Sequence, residues 1–330
     1  MSVAASTTPD FIDRFESHLK RTLHDPHHDK RKPPVLMVAS RHLAFAGAAK
    51  RMRPLLVDHF GASVELADRH RLAIATSAEL IHTASLLHDD VIDEGAERRG
   101  KATANAQWDN SVAVLSGDLV LCIALEQLYE LPRPVTRAAV DLVADMTRGA
   151  MLEVQARKSR DWDLDDWSTI ADGKTGALLA WCGTAPAIAC AKPELATRFA
   201  DCGHHLGLAF QITDDLLDLI GGQTGKDPFA DLKNANPSFP IALSRTQNDK
   251  ALAAIDELWS SPTAADDALE QVANLIIDSG VPVQTLRQIE EHLDRALESL
   301  GEFADGPGGR HIADWAAQLR LMATSSVEAL

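Results

Sequence analysis

Long Ala- and Leu-rich segments with apolar residues at helical spacing dominate the chain. Period-2 alternation of β-branched residues is nearly absent. The pattern predicts helices over 9–23, 34–48, 52–61, 67–94, 110–130, 134–158, 165–191, 195–220, 240–259, 264–279, 283–300 and 309–324. Breaks at His24–Pro34, Gly95–Thr103, Leu131–Pro134, Gly221–Pro240 and Asp305–Gly309 each carry Gly, Pro or a charge cluster. The stretches 67–88 and 174–191 are apolar nearly all round, which suits the middle of a large bundle or an oligomer interface. No Gly/Ser or Pro-rich linker separates two halves, and no short tandem repeat occurs. The expectation is an all-α fold: a single domain over 1–330, with residues 1–9 a flexible N-terminus.

Composition narrows the function. Hydrophobic residues make up 45% of the 330 positions and charged residues 24%, which excludes a disordered chain. Thirty-two basic against 48 acidic residues give −16, which argues against nucleic-acid binding. Such a chain should repel anionic ligands unless its cations are concentrated in one place. Cys122, Cys182, Cys190 and Cys202 lack CxxC spacing and read as buried, reduced thiols. Met1–Asp10 lacks the basic and apolar regions of a secretory signal, and no charge-free run of about 18 apolar residues suggests membrane insertion. The expected location is the cytoplasm. The His24–His28 stretch reads as a solvated loop rather than a metal site.

Two acidic clusters stand out. In His88-Asp89-Asp90-Val91-Ile92-Asp93, Asp89 and Asp93 are i,i+4 and share a helix face, with His82 on the same stripe. They follow an apolar run near a helix C-terminus, where the macrodipole disfavours anions. A conflict of that kind tends to mark function. The arrangement recurs in Gln211-Ile212-Thr213-Asp214-Asp215-Leu216-Leu217-Asp218, again late in an apolar helix. Two such clusters facing each other would hold several hard divalent cations. Mg²⁺ prefers one or two carboxylates plus waters and substrate phosphates, so this much carboxylate suggests a bound polyphosphate.

The cations lie beside these clusters in sequence: Lys50-Arg51-Met52-Arg53-Pro54 opening a helix, Arg98-Arg99-Gly100, Lys174-Thr175, and Gly225-Lys226. Arg grips phosphate bidentately, which fits an oxygen-rich anionic ligand. Lys174, inside an otherwise apolar helix, is costly to bury unless paired.

Taken in order, KRxRP at 50–54, HDDVID at 88–93, RRG at 98–100, VLSGD at 114–118, KTG at 174–176, FQxxDDxLD at 210–218 and GK at 225–226 with Asp231-Leu232 and Pro240 resemble one family. It is the all-trans polyprenyl (isoprenyl) diphosphate synthases, and the likeness runs from about Ala48 to Pro240. The resemblance implies the isoprenoid synthase fold, a single large helical bundle with a central apolar cavity, usually a homodimer. It implies a Mg²⁺-dependent prenyltransferase that condenses isopentenyl diphosphate head-to-tail with an allylic diphosphate. Carried over by position, Asp89, Asp93 and Asp214 ligate Mg²⁺, three ions per active site, while Asp90, Asp215 and Asp218 ligate directly or through water. Arg98, Lys174 and Lys226 grip the allylic diphosphate, and Lys50, Arg53, His82 and Arg99 bind isopentenyl diphosphate. Lys174, Thr175 and Gln211 turn oxygens toward the allylic cation.

The chain departs from the family pattern at Ala48-Ala49 and at Ala235-Asn236, where the family carries Gly-Gly and Gly-Lys. Lys233 could replace the missing charge. Asp109 stands where Gly is common, and Ala150 where Gln or an acid is common. Ala84 and Ser85, five and four residues before Asp89, form the upper floor of the product cavity by family resemblance. Both are small, so a medium or long all-trans product is expected, hexaprenyl to decaprenyl, rather than geranylgeranyl or farnesyl. Ile81, Met151 and Trp181 are deeper candidates for a stop. A class I terpene cyclase is the weaker alternative, because the second cluster is DDxxD and a second set of diphosphate cations is present. A non-catalytic regulatory subunit would predict eroded aspartates, and these are intact.

Overall fold

A computed structural model describes residues 9–24, 34–46, 50–98, 100–221, 229–260 and 266–330. They are almost entirely helical: α1 (Pro9–Leu23), α2 (Pro34–Ala44), α3 (Met52–Ser63), α4 (Asp68–Ile92), α5 (Ala104–Gln107), α6 (Asn110–Glu126), α7 (Arg133–Ser159), α8 (Leu164–Ala171), α9 (Ala177–Ala189), α10 (Pro193–Leu219), α11 (Ala230–Asn234), α12 (Phe239–Gln247), α13 (Asp249–Ser260), α14 (Asp266–Asp278), α15 (Val281–Leu300) and α16 (Pro307–Glu328). A π-helical turn, Asp172–Gly176, joins α8 to α9. The described strands are a minimal antiparallel hairpin, β1 (Glu97–Arg98) and β2 (Lys101–Ala102), with Gly100 at φ +73° in its turn.

The chain divides into two compact units. The first comprises Met1–Val140, Cys182–Thr197 and Asp305–His311. Its axis is α4, in which every residue from Ile74 to Ile81 is buried. Helices α1, α2, α3 and α6 pack around it. Helix α1 shows why: Phe11, Phe15, Leu19 and Leu23 recur every four residues and all are buried. Asp109 caps α6, its Oδ1 accepting from Val112 N at 2.8 Å. That cap explains an acid where the family pattern has Gly.

The second unit comprises Asp141–Trp181, Arg198–Ala304 and Ile312–Leu330. Here α12 packs against α8, α13, α14 and α15. Asp163 starts α8 with a capping box, accepting from Asp166 N while Asp166 accepts from Asp163 N.

Most predicted helices stand within a few residues of their expected ends. The segment 240–259 divides into two helices at Asn248, whose side chain accepts from Lys250 N and Ala251 N and so begins α13. Helix α2 ends at Ala44, short of 48. The thiols also differ from expectation. Cys182 and Cys202 are buried, Cys190 is half-buried, and Cys122 is exposed. Cys122 lies with Leu115 and Asp118 on the outward stripe of α6, three and four residues apart. Burial pushes the Cys182 thiol up to about 12.

Candidate active site

The first aspartate cluster occupies the last turn of α4 and its C-cap. Asp89 is half-buried and Asp93, the C-cap, is exposed. Asp90 points inward and is 2% exposed. Arg98 Nε, brought back by the hairpin, donates to Asp90 Oδ1 at 2.7 Å, while Oδ2 is buried with no hydrogen-bond partner. Burial raises the Asp90 pKa, and Arg98 opposes that rise. The loop leaving the cluster is fixed at Gly95, whose carbonyl accepts from Thr103 Oγ1 at 2.6 Å and Asn105 Nδ2 at 3.0 Å. A Cβ at Gly117 would collide with the His88 imidazole, and His88 Nε2 lies 3.5 Å from Asp118 Oδ1. The Gly-Asp of VLSGD thus makes room for, and pairs with, the residue before Asp89.

The second cluster repeats this division of labour on α10. Asp214 and Asp218 are half-buried, while Asp215 is 4% exposed. Three donors converge on Asp215: Gln211 Nε2 at 2.8 Å on Oδ1, with Trp167 Nε1 at 2.8 Å and Phe239 N at 2.9 Å on Oδ2. Burial pushes the Asp215 carboxyl up to about 7, although all three donors pull it back. Asp218 accepts from Ala230 N at 3.2 Å and Asp231 N at 2.9 Å, which anchors the chain where it returns into α11. The structure gives the division between these six acids a physical form. Asp90 and Asp215 are tied inward, and Asp218 is committed to backbone amides.

Between α8 and α9 the π turn carries Lys174 and Thr175, an irregularity common at functional sites. Lys174 has the partner its burial demands, an ion pair with Glu153 of α7. Thr175 Oγ1 donates to Gln211 Oε1 at 2.9 Å. Helix α10 approaches closely because Gly203 and Gly207 have no side chain. A Cβ at Gly203 would strike the Leu179 carbonyl, and one at Gly207 would lie 3.0 Å from the Thr175 carbonyl oxygen.

Lys50 is exposed, just before α3, and Arg53 is half-buried in its first turn. His82 is half-buried on α4. Between Lys50 and Arg53, Arg51 turns inward and bonds Glu16, Glu79 and the Ala44 carbonyl. The sequence reading names Arg51 among the cations without a role, and misses Glu79, Glu153 and Trp167. Glu79, an acid within the apolar run of α4, was the one with a visible signal. Ala84 and Ile81 are buried, Ser85 is half-buried, and Trp181 is buried. Met151 is exposed. Lys233 is exposed, whereas Asn236 Nδ2 donates to Asp231 Oδ1 at 3.2 Å. Arg99, Lys226, Gly225, Ala48, Ala49 and most of the His24–His28 stretch lie outside the described residues.

Among the described residues, no three His, Cys, Asp or Glu side chains converge into a ready-made metal site. The acids come instead as i,i+4 pairs of hard oxygen donors, Asp89 with Asp93 and Asp214 with Asp218. That set fits Mg²⁺, which takes few protein ligands and completes its shell with water and phosphate. No described helix is long and apolar enough to cross a membrane.

Residues 33–276 match the Polyprenyl synthetase family. The chain is 34% identical over 278 residues to the all-trans-nonaprenyl-diphosphate synthase (geranyl-diphosphate specific) of Rhodobacter capsulatus, covering 82% of this chain and 83% of that one. It is 32% identical over 297 residues to the (2E,6E)-farnesyl diphosphate synthase of Mycobacterium tuberculosis, covering 83% and 82%. Its structure matches a decaprenyl diphosphate synthase from Rhodobacter capsulatus with a TM-score of 0.86 at 26% identity, over 94% and 96% of the two chains. It also matches a polyprenyl synthase from Caulobacter crescentus, complexed with calcium and isoprenyl diphosphate, with a TM-score of 0.83 at 25% identity over 96% and 98%. The chain belongs to the polyprenyl synthetase family and is a prenyltransferase.

Proposed function

We propose that the protein condenses isopentenyl diphosphate with an allylic diphosphate (geranyl, farnesyl or geranylgeranyl) and releases pyrophosphate, making an all-trans polyprenyl diphosphate of medium or long chain. The observation that carries this is the oriented chain Trp167–Asp215–Gln211–Thr175 beside Lys174. It presents a Lys cation together with fixed oxygen atoms. That pairing suits a reaction in which a diphosphate leaves and a carbocation remains.

Asp89, Asp93 and Asp214 are the direct Mg²⁺ ligands in this reading. Asp90, Asp215 and Asp218 hold the two motifs in shape and act on the ions at most through water. The bound Mg²⁺ supplies charge neutralisation to the departing pyrophosphate. Arg98, Lys174 and Lys226 grip the allylic diphosphate, and Lys50, Arg53, His82 and Arg99 hold isopentenyl diphosphate. The Thr175 hydroxyl oxygen, the neighbouring carbonyls and Gln211 Oε1 stabilise the allylic cation. The isopentenyl double bond attacks that cation, and the released pyrophosphate takes the proton lost afterwards. Apolar walls keep out water, which would otherwise capture the cation.

The small residues Ala84 and Ser85 favour the longer products over farnesyl or geranylgeranyl. A homodimer is the proposed assembly, supported by the exposed Val114 and Leu115 on α6. The test is magnesium-dependent pyrophosphate release from isopentenyl plus farnesyl diphosphate, with the dephosphorylated product sized by chromatography. Failure to turn over with any allylic primer overturns the reading.

A further inference from the structure

Arg51 stands inside the KRxRP motif but does not face outward as Lys50 does. It is 7% exposed. Each of its guanidinium nitrogens is engaged by a different segment. Nε donates to Glu16 Oε1 of α1 at 2.6 Å, Nη1 to Glu79 Oε1 of α4 at 2.5 Å, and Nη2 to the carbonyl of Ala44, the last residue of α2, at 3.0 Å. The Phe15 ring lies 5.8 Å away on a further side. Burial acts to lower the Arg51 pKa, but Glu79 and Glu16 more than reverse it.

The backbone at Arg51 is left-handed, φ 48° and ψ 36°, where a non-glycine residue persists only if its surroundings over-determine it. Three hydrogen bonds from a planar, rigid fork provide that determination. The consequence falls on the neighbours. Lys50 precedes this kink and Arg53 sits in the first turn after it, so the fork sets where both chains leave the backbone. Glu79 is three residues before His82 on α4, on the same side of the helix. One ion pair therefore registers Lys50 and Arg53 against His82. Glu16 adds α1 to the same joint.

We propose that Arg51 is a positioning residue for isopentenyl diphosphate: through Glu79 it aligns Lys50 and Arg53 with His82, and through Glu16 it makes helix α1 part of that pocket's affinity. The proposal rests on the reading that Lys50, Arg53 and His82 bind isopentenyl diphosphate. It adds a residue that itself touches no substrate.

The experiment compares wild type with Arg51→Lys, Glu16→Gln and Lys50→Ala in the full chain. KM is measured for each substrate separately, and isopentenyl diphosphate binding is measured by calorimetry. Glu16→Gln is the mild variant, because a half-buried amide can still accept from Arg51 Nε, and it keeps the test decisive if Arg51→Lys folds poorly. The expected result is a rise in isopentenyl diphosphate KM and dissociation constant of about tenfold for Arg51→Lys and about threefold for Glu16→Gln. The allylic KM and kcat stay within about twofold. A general loosening of the fold would raise both KM values or lower kcat, and that result overturns the proposal. If Lys50→Ala weakens isopentenyl diphosphate binding while neither other variant does, the positioning role is refuted and the site reading survives. If Lys50→Ala leaves that binding unchanged, the site reading fails and the proposal falls with it.

Discussion

Thr175 and Gln211 share one hydrogen bond, the hydroxyl donating to the amide oxygen at 2.9 Å. Because Asp215 takes the other end of the same amide at 2.8 Å, Gln211 has only one orientation that satisfies both neighbours. Its oxygen is held on the Thr175 side without help from substrate. Preorganisation of that kind stabilises developing positive charge without reorganisation during the reaction.

Removing the hydroxyl should therefore cost rate rather than affinity. Thr175→Val is expected to lower kcat by about 10- to 100-fold, with both KM values changed little. Thr175→Ser keeps the donor and the oxygen and should remain close to wild type. Steady-state kinetics with each substrate varied will decide. A Thr175→Val enzyme with wild-type kcat would remove this contact from the mechanism.

The residues of this network also show what a sequence discloses. The helix bearing Gln211 and Asp215 follows from its periodicity, and the split at Asn248 carried a readable cap in Asn248-Asp249. The π turn was invisible, because the stretch 174–191 is apolar nearly all round and a change of helical register there leaves no mark. The cost of burying Lys174 was legible, but its partner Glu153 lies 21 residues away on another helix. Trp167 is 48 residues from Asp215, and Glu79 is 28 from Arg51. Such pairings are set by tertiary packing, which leaves no local periodicity to read.

Packing also distinguishes the two floor positions. Ala84 is buried on α4, in the unit where α4 and α6 pack together, so a Phe there would have to displace its surroundings, at about 1–3 kcal/mol. Ser85 is half-buried and spends its hydroxyl on the His82 carbonyl at 2.9 Å. Ser85→Phe is the cleaner variant and should shorten the product by several isoprene units. Chromatography of the dephosphorylated alcohols measures this, and Ala84→Phe should act in the same direction with a lower thermal midpoint. Unchanged product length in Ser85→Phe would refute the floor.

Acid should weaken the fold through two buried histidines. His59 is buried, with the His311 ring stacked 4.8 Å away. Burial first, then the neighbouring His311, pulls its pKa down to about 3. Burial first, then His205, pulls His292 down to about 4. Each is neutral when folded yet protonates near pH 6.5 when unfolded. Below that value the unfolded chain binds more protons, so stability is full above pH 6.5 and lost as the pH falls. The slope is roughly 1.4 kcal/mol per pH unit for each such His. Thermal midpoints from pH 7.5 to 5 should decline, and His59→Phe should flatten the decline while keeping the stacked ring. An equal slope in that variant would assign the loss to other groups.

Ala235 ends α11 at φ 52° and ψ 34°, a left-handed C-cap that favours glycine. The family pattern places Gly-Lys where this chain has Ala235-Asn236. An alanine in that conformation costs about 1 kcal/mol, partly offset because Gly gives the unfolded chain more freedom. Ala235→Gly should therefore stabilise the protein by roughly 0.5 kcal/mol, a rise of about 1–2 °C in thermal midpoint. Asn236 holds the same turn, its backbone N bonding the Asp231 carbonyl at 2.9 Å and its side chain the Asp231 carboxylate. Lys in its place would give up only the side-chain bond and add a cation beside Asp231, close in sequence to the chain that Asp218 anchors. The double variant Ala235→Gly/Asn236→Lys is expected to keep the stability gain and lower the allylic KM by about threefold, since a diphosphate gains a charged contact. Differential scanning fluorimetry and steady-state kinetics separate the two effects. A stabilised double variant with unchanged allylic KM would mean that the charge absent at position 236 is supplied elsewhere, and Lys233→Ala would then be the variant that raises it.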